Sequence, residues 1–192
     1  DFMSLSGNVV LPMFFEELRD SVTDNNLHFG SDPHFSFPII SQAASANGFS
    51  NLGSSPVIYK VPLIVNSKEG YTYSFAAELF RNYQNKERIK FSNDEFIDQF
   101  TDQRGKIYLN FPDFNNLNNK YSFVELIQTF RNEPDSIHME GKLAVILNVV
   151  TGVTQIKSIP GNDKLPASYI HIAAVNNLLL QNWIKLTPSI IG

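Results

Sequence analysis

Segments with helical hydrophobic spacing alternate with short β-rich runs along this chain, and that alternation restricts the architecture more than any other feature. Between residues 74 and 83, Phe75, Leu79 and Tyr83 recur every four positions, which places them on one face of a helix. A β-rich run from Ile107 to Phe111 follows and is stopped by Pro112. Ser122, with Glu125 three positions on, has the form of a capping box. It opens a helix carrying Phe123, Leu126, Ile127 and Phe130. Leu143 to Leu147 is an almost continuous apolar run, the pattern of a central parallel strand buried on both faces. A last helix over 169–183 has Ile172, Val175, Leu178, Leu179 and Trp183 on its apolar side. Strands and helices alternating in this way build a partly parallel sheet with helices packed on it.

The first half adds antiparallel signals. Val9 to Leu11 reads as a short buried strand closed by Pro12, Phe14 to Leu18 as one helical turn, and 24–33 as a polar loop. Pro38 suits the first turn of a helix over 38–46 striped by Ile39, Ile40, Ala43 and Ala44, with Gly48 as a left-handed cap. The runs 49–52 and 57–65, separated by Gly53-Ser54-Ser55-Pro56, predict an antiparallel hairpin. Asn93 is positioned to cap a short helix holding Phe96, Ile97 and Phe100. The expected fold class is α/β: a mixed, partly parallel central sheet with an antiparallel hairpin and helices packed on it. One domain spans residues 1–192.

Composition removes several functions. Hydrophobic residues are 43% of the chain, with 16 Phe and 7 Tyr, enough to rule out disorder. The 15 Lys and Arg are dispersed and the net charge is -4, so no basic stripe exists to neutralise nucleic-acid phosphates or to hold an anionic membrane surface. Without Cys there are no disulfides, thiol nucleophiles or thiolate metal sites. No apolar run reaches the ~20 residues that span a bilayer.

Catalytic patterns are sparse. There is no G-x-S-x-G elbow, no Walker loop and no G-x-G-x-x-G. His28 and His34 share a loop with Asp24 and Asp32, which offers metal ligands but reads better as a solvated loop. Glu16-Glu17 and Asp94-Glu95 are sequence neighbours that point apart on a helix, so neither serves as an acid–base pair. No catalytic residue, metal ligand or cofactor is assigned. A small ligand in an α/β fold sits at the carboxyl ends of parallel strands. Those ends are Asn110, Asn148 and Thr151, and they are the candidate ligand-binding residues. His171 on the last helix joins them as a ligand contact or pH sensor, against the alternative of a satisfied packing residue.

Six short motifs occur in order: Gly48-Phe49-Ser50-Asn51; Lys60-Val61-Pro62-Leu63; Tyr73 to Leu79; Ile107-Tyr108-Leu109-Asn110-Phe111-Pro112; Gly141 to Ile146; and Ile170 to Leu179. This series resembles the second class of CHASE domains (cyclase/histidine-kinase-associated sensing extracellular) over roughly residues 1 to 188. The chain departs from that pattern at Gly53 to Pro56, where Asp-Gly is usual, and at Tyr59-Lys60, where Arg is usual. It departs again at Leu147-Asn148 in place of Ile-Gly, and at Gln155 in place of Asp.

The resemblance implies a stimulus-sensing domain in a bacterial membrane protein, facing the periplasm or extracellular space and N-terminally truncated before Asp1. It implies transmembrane helices as the domain's own partners, an unidentified small-molecule or environmental stimulus, and a homodimer as a possible assembly. The implied outputs in the parent are an adenylate or diguanylate cyclase, a histidine kinase or a serine/threonine kinase. The competing reading is an extracytoplasmic solute-binding or adhesion module with no output domain.

Overall fold

Strand β1 (Val10–Arg19) organises the sheet, and its alternation explains why. Met13 and Phe15 point inward and are buried, while Phe14 and Glu16 face out, which is the period-two pattern of a half-buried strand. The computed structural model describes residues 7–19, 27–86, 90–114, 121–133, 136, 141–147 and 155–185. Within them β1 lies between two neighbours. It runs parallel to β3 (Ala46–Phe49), with Val10 opposite Ala46 and Met13 opposite Phe49. It runs antiparallel to β2 (Phe29–His34), with Phe14 opposite His34 and Arg19 opposite Phe29. β2 joins β5 (Ile64–Ser67) in parallel, and β5 turns through Lys68-Glu69 into antiparallel β6 (Gly70–Tyr73).

The five-stranded sheet therefore has the order β3-β1-β2-β5-β6 and mixes both pairings. A bridge between Phe49 and Ser74 brings its two edges back together. Met13, Phe15, Phe49 and Val65 fill a small core of their own, with Leu18 against it.

Two antiparallel pairs complete the strands: β4 (Lys60–Pro62) with β7 (Lys106–Tyr108), and β8 (Ile156–Ile159) with β9 (Asn162–Pro166). Five helices are described: α1 (Pro38–Ala43), α2 (Phe75–Lys86), α3 (Asn93–Phe100), α4 (Phe123–Asn132) and α5 (Ala167–Leu180). The fold is α/β with a mixed, partly parallel sheet, antiparallel hairpins and packed helices, as the sequence pattern predicts.

The main core lies where α2, α3 and α5 meet the strands. Phe80, Phe96 and Phe100 are sealed there, with Phe100 edge-on to Phe80 at 5.2 Å and tilted against Trp183 at 5.8 Å. Each such ring contributes about 2 kcal/mol by burial and somewhat more through edge-to-face geometry.

Several local expectations are corrected. Phe14 to Leu18 is strand rather than helical turn, because the period of its buried residues is two. Residues 29–33 of the expected loop belong to β2, since β1 offers an edge that a polar strand can pair with. The 38–46 helix stops at Ala43, and of its stripe Ala43 is buried while Ile39 and Ile40 stay exposed. The 49–52/57–65 hairpin does not form, because β3 pairs with β1 and β4 pairs with β7. Ser92 rather than Asn93 caps α3, with Glu95 completing the box. The capping contact of α4 is present, the Ser122 N–H donating to Glu125 at 3.3 Å, yet none of its side chains is buried.

The largest correction concerns Leu143 to Leu147. This run is described with no strand pairing, and Ile146 is 78% exposed. The interior place foreseen for it is absent because β1 already has a partner on each side.

Gly48 is no helix cap. It lies in β3, and a Cβ there would come within 2.5 Å of the Phe75 Cα at the start of α2. Only glycine lets strand and helix approach so closely. Gly48→Ala is expected to lower the unfolding free energy by about 2–4 kcal/mol, since backbone must move to admit the methyl group. Urea unfolding followed by circular dichroism checks this, and an unchanged midpoint would contradict the close approach.

Candidate functional site

A groove of about 1410 Å³ runs between the start of β1, the 50–55 loop after β3, the 142–147 segment and the first turn of α5. It exists because Leu143 to Leu147 lies alongside the sheet without joining it. Asn51 fixes the wall beside β1. Its side-chain amide accepts from the Phe15 N–H at 2.8 Å and donates to the Phe15 carbonyl at 2.9 Å, behaving like one residue of an added strand. Ser50 continues the attachment, with its N–H and its hydroxyl both donating to the Met13 carbonyl at 2.8 and 3.0 Å.

His171 lines the groove from α5, half-buried, with its ring edge-on to Phe75 at 6.0 Å. Burial pushes its pKa down to about 4, with a backbone hydrogen bond at Ser50 acting in the opposite sense. The imidazole is therefore neutral near pH 7. Ser168, one turn earlier, has a buried hydroxyl with no hydrogen-bond partner among the described residues.

Asn110 lies elsewhere. It follows β7, whose pairing with β4 is antiparallel, so the parallel-strand rule that selected it does not operate here. Asn177 of α5, fully buried, accepts from the Asn110 N–H at 2.7 Å and donates to the Asn110 carbonyl at 2.8 Å. The Asn110 side chain in turn donates to the Asn182 carbonyl at 3.2 Å, just beyond the end of α5. Six residues separate His171 from Asn177, about 9 Å along the helix axis. The structure thus places Asn110 and His171 at different levels of α5 and does not bring them together. Asn148 and Thr151 lie outside the described residues, although Leu147 and Gln155 on either side of them both line the groove.

Of the loop weighed as a metal site and read as solvated, Asp24 lies outside the described residues. His34 stacks on Phe14 at 4.7 Å and stands 3.6 Å from a Glu16 oxygen. No group of three metal-ligating side chains occurs among the described residues. A separate polar cluster sits on α2. Arg81 pairs with Glu78 at 3.1 Å and lies over the Tyr73 ring at 3.9 Å, while the Tyr73 hydroxyl donates to Asn93 at 2.7 Å. Burial raises the Glu78 pKa and Arg81 opposes it.

Sequence reasoning missed Asn51 and Asn177 as organising residues, although both fall inside quoted motifs. The signal was available for Asn177. Ile170, Ala173, Ala174 and Leu178 mark the buried face of α5, and Asn177 occupies the seventh step of that same stripe. A polar residue there must be hydrogen-bonded internally.

No family model, curated protein or solved structure matches this chain. No helix among the described residues is long and apolar enough to cross a membrane.

Two outcomes follow from this geometry. Asn177→Ala strands the N–H and carbonyl of Asn110 and is expected to cost about 2–4 kcal/mol of stability, whereas Asn110→Ala, which keeps the backbone pair, costs about 1 kcal/mol or less. Chemical denaturation of both variants checks the order, and equal losses would contradict it. The second outcome concerns pH. The His171 pKa is lower folded than unfolded, so below about pH 6.5 the unfolded chain takes up a proton that the folded chain refuses until about pH 4. His171 therefore favours folding fully above pH 6.5 and progressively less as pH falls to 4, a change of about 3 kcal/mol over the whole range. The stability difference between His171→Gln and the unaltered chain is expected to shift by about 2 kcal/mol, most of that change, between pH 7.5 and pH 4.5. A constant difference would show that the imidazole titrates normally.

Proposed function

We propose that this chain is the stimulus-sensing domain of a bacterial membrane-bound signalling protein, non-catalytic itself and facing the periplasm or extracellular space. Its parent would carry transmembrane helices and a cyclase or kinase output. The ordered series of six CHASE-like motifs supports this reading. The observation that carries it is the position of α5. The last helix lies in the main core against α2, with Ile170, Ala173, Ala174 and Leu178 buried, and the chain beyond it packs Trp183 on Phe100.

A sensor must turn a stimulus into a change in what leaves the domain. Work of this kind requires the stimulus to favour one packing of the exit element over another. Helix α5 touches the groove at its first turn through His171 and is tied to the β7 exit at Asn177. Occupancy at one end therefore bears on an element whose other end is held in the core through Asn177 and followed by Trp183 packed on Phe100.

A solute-binding module without output is the second reading, and the groove is the observation that favours it. The reading frame on either side of these residues separates the two. The sensor reading expects apolar stretches of about 20 residues followed by a cyclase or kinase sequence. A frame with no apolar span on either side would overturn it.

A further inference from the structure

Four lysines line the groove, Lys60, Lys106, Lys142 and Lys157, and no carboxylate does so among the described residues. That is unexpected in a chain with 19 Asp and Glu against 15 Lys and Arg. A recess lined by one sign of charge, with low-dielectric walls, concentrates potential and selects ligands of the opposite sign. The four are not equivalent. The Lys60 ammonium lies over the Tyr59 and Tyr108 rings at 5.8 and 5.2 Å. The Lys106 N–H donates to the Asp102 carboxylate at 2.9 Å, so negative charge already stands at that end. Lys142 and Lys157 come from the 141–147 segment and β8, and neither forms an ion pair among the described residues.

The rest of the lining is largely apolar, with Val10, Leu52, Leu79 and Val145 among it. No arginine lines it, so the forked geometry that suits phosphate is absent and the cations act as point charges. His171 is neutral there and adds no charge. We propose that the groove binds a single-chain amphiphilic carboxylate, its head between Lys142 and Lys157 and its chain along the apolar lining. An acidic protein surface would meet a recess rather than a face, and an inorganic anion would leave the apolar lining unfilled. The proposal deepens the sensor reading by naming a class of stimulus, and it rests on that reading only for its biological purpose. Reading-frame context tests the sensor; ligand titration tests the groove.

The experiment is calorimetric titration of the 192-residue chain with decanoate, with decanol as neutral probe and inorganic phosphate as free anion. Decanoate is expected to bind saturably, and at least about tenfold more tightly than either control. The double variant Lys142→Gln/Lys157→Gln is expected to lose about tenfold in decanoate affinity while its decanol affinity and circular dichroism stay unchanged. Should that variant fail to fold, the unaltered chain still decides the matter. Its decanoate affinity is expected to fall several-fold as salt rises from about 50 to about 500 mM, because the ion pairs are screened. No decanoate binding, decanol binding equally well, phosphate binding equally well, or salt-independent affinity would each overturn the proposal.

Discussion

An asparagine side chain sealed from water has to make its hydrogen bonds inside the protein, and Asn177 makes them with the main chain of Asn110. The residues are 67 apart in sequence, so this pair closes a long loop. One buried amide satisfies both polar groups of a residue where β7 has ended and no strand partner continues. Leaving the sealed Asn177 amide unpaired would cost more than the pair itself gains. This attachment joins the second half of α5 to the residue that follows β7. Asn51 makes the same two-way contact with Phe15 beside β1. Two amides thus extend hydrogen bonding beyond the strand ladders, one beside β1 and one after β7.

The groove arises from an imbalance between the sheet and the sequence. Leu143 to Leu147 has the composition of a buried strand, but β1 is already paired on both sides. The segment lies beside the sheet without pairing, and the space between becomes a recess with largely apolar walls and four lysines in its lining. Packing at its inner end is tight, since Gly48 meets the Phe75 backbone and His171 turns its ring against Phe75. The neutral imidazole records that tightness, because a charged ring there would lose its hydration.

Much of the fold was legible in the sequence wherever one period dominated. The four-residue repeat of Phe75, Leu79 and Tyr83 located α2, and the apolar stripe ending near Leu179 located α5. Ser122 with Glu125 located the start of α4. Reading failed where pairing partners decided the outcome. Phe14 to Leu18 is as compatible with a helical turn as with a strand until β2 and β3 are known to flank it. The Leu143 to Leu147 run carries no information about whether a place in the sheet is free. Of the candidate site, His171 was legible and does line the groove. Asn110 was chosen by a parallel-strand rule that its antiparallel neighbour does not satisfy. Lys142 and Lys157 belong to segments distant in sequence, so only the fold unites them at one recess.

The central claim is that α5 and the β7 exit move as one unit through Asn177. Native-state hydrogen exchange of the Asn110 amide tests it most directly, because among the described residues that N–H donates to the Asn177 side chain alone. The account predicts that it exchanges with the same opening free energy as the core amides of α5, such as those of Ala174 and Val175. An Asn110 amide that exchanges through small local openings while α5 stays protected would contradict it.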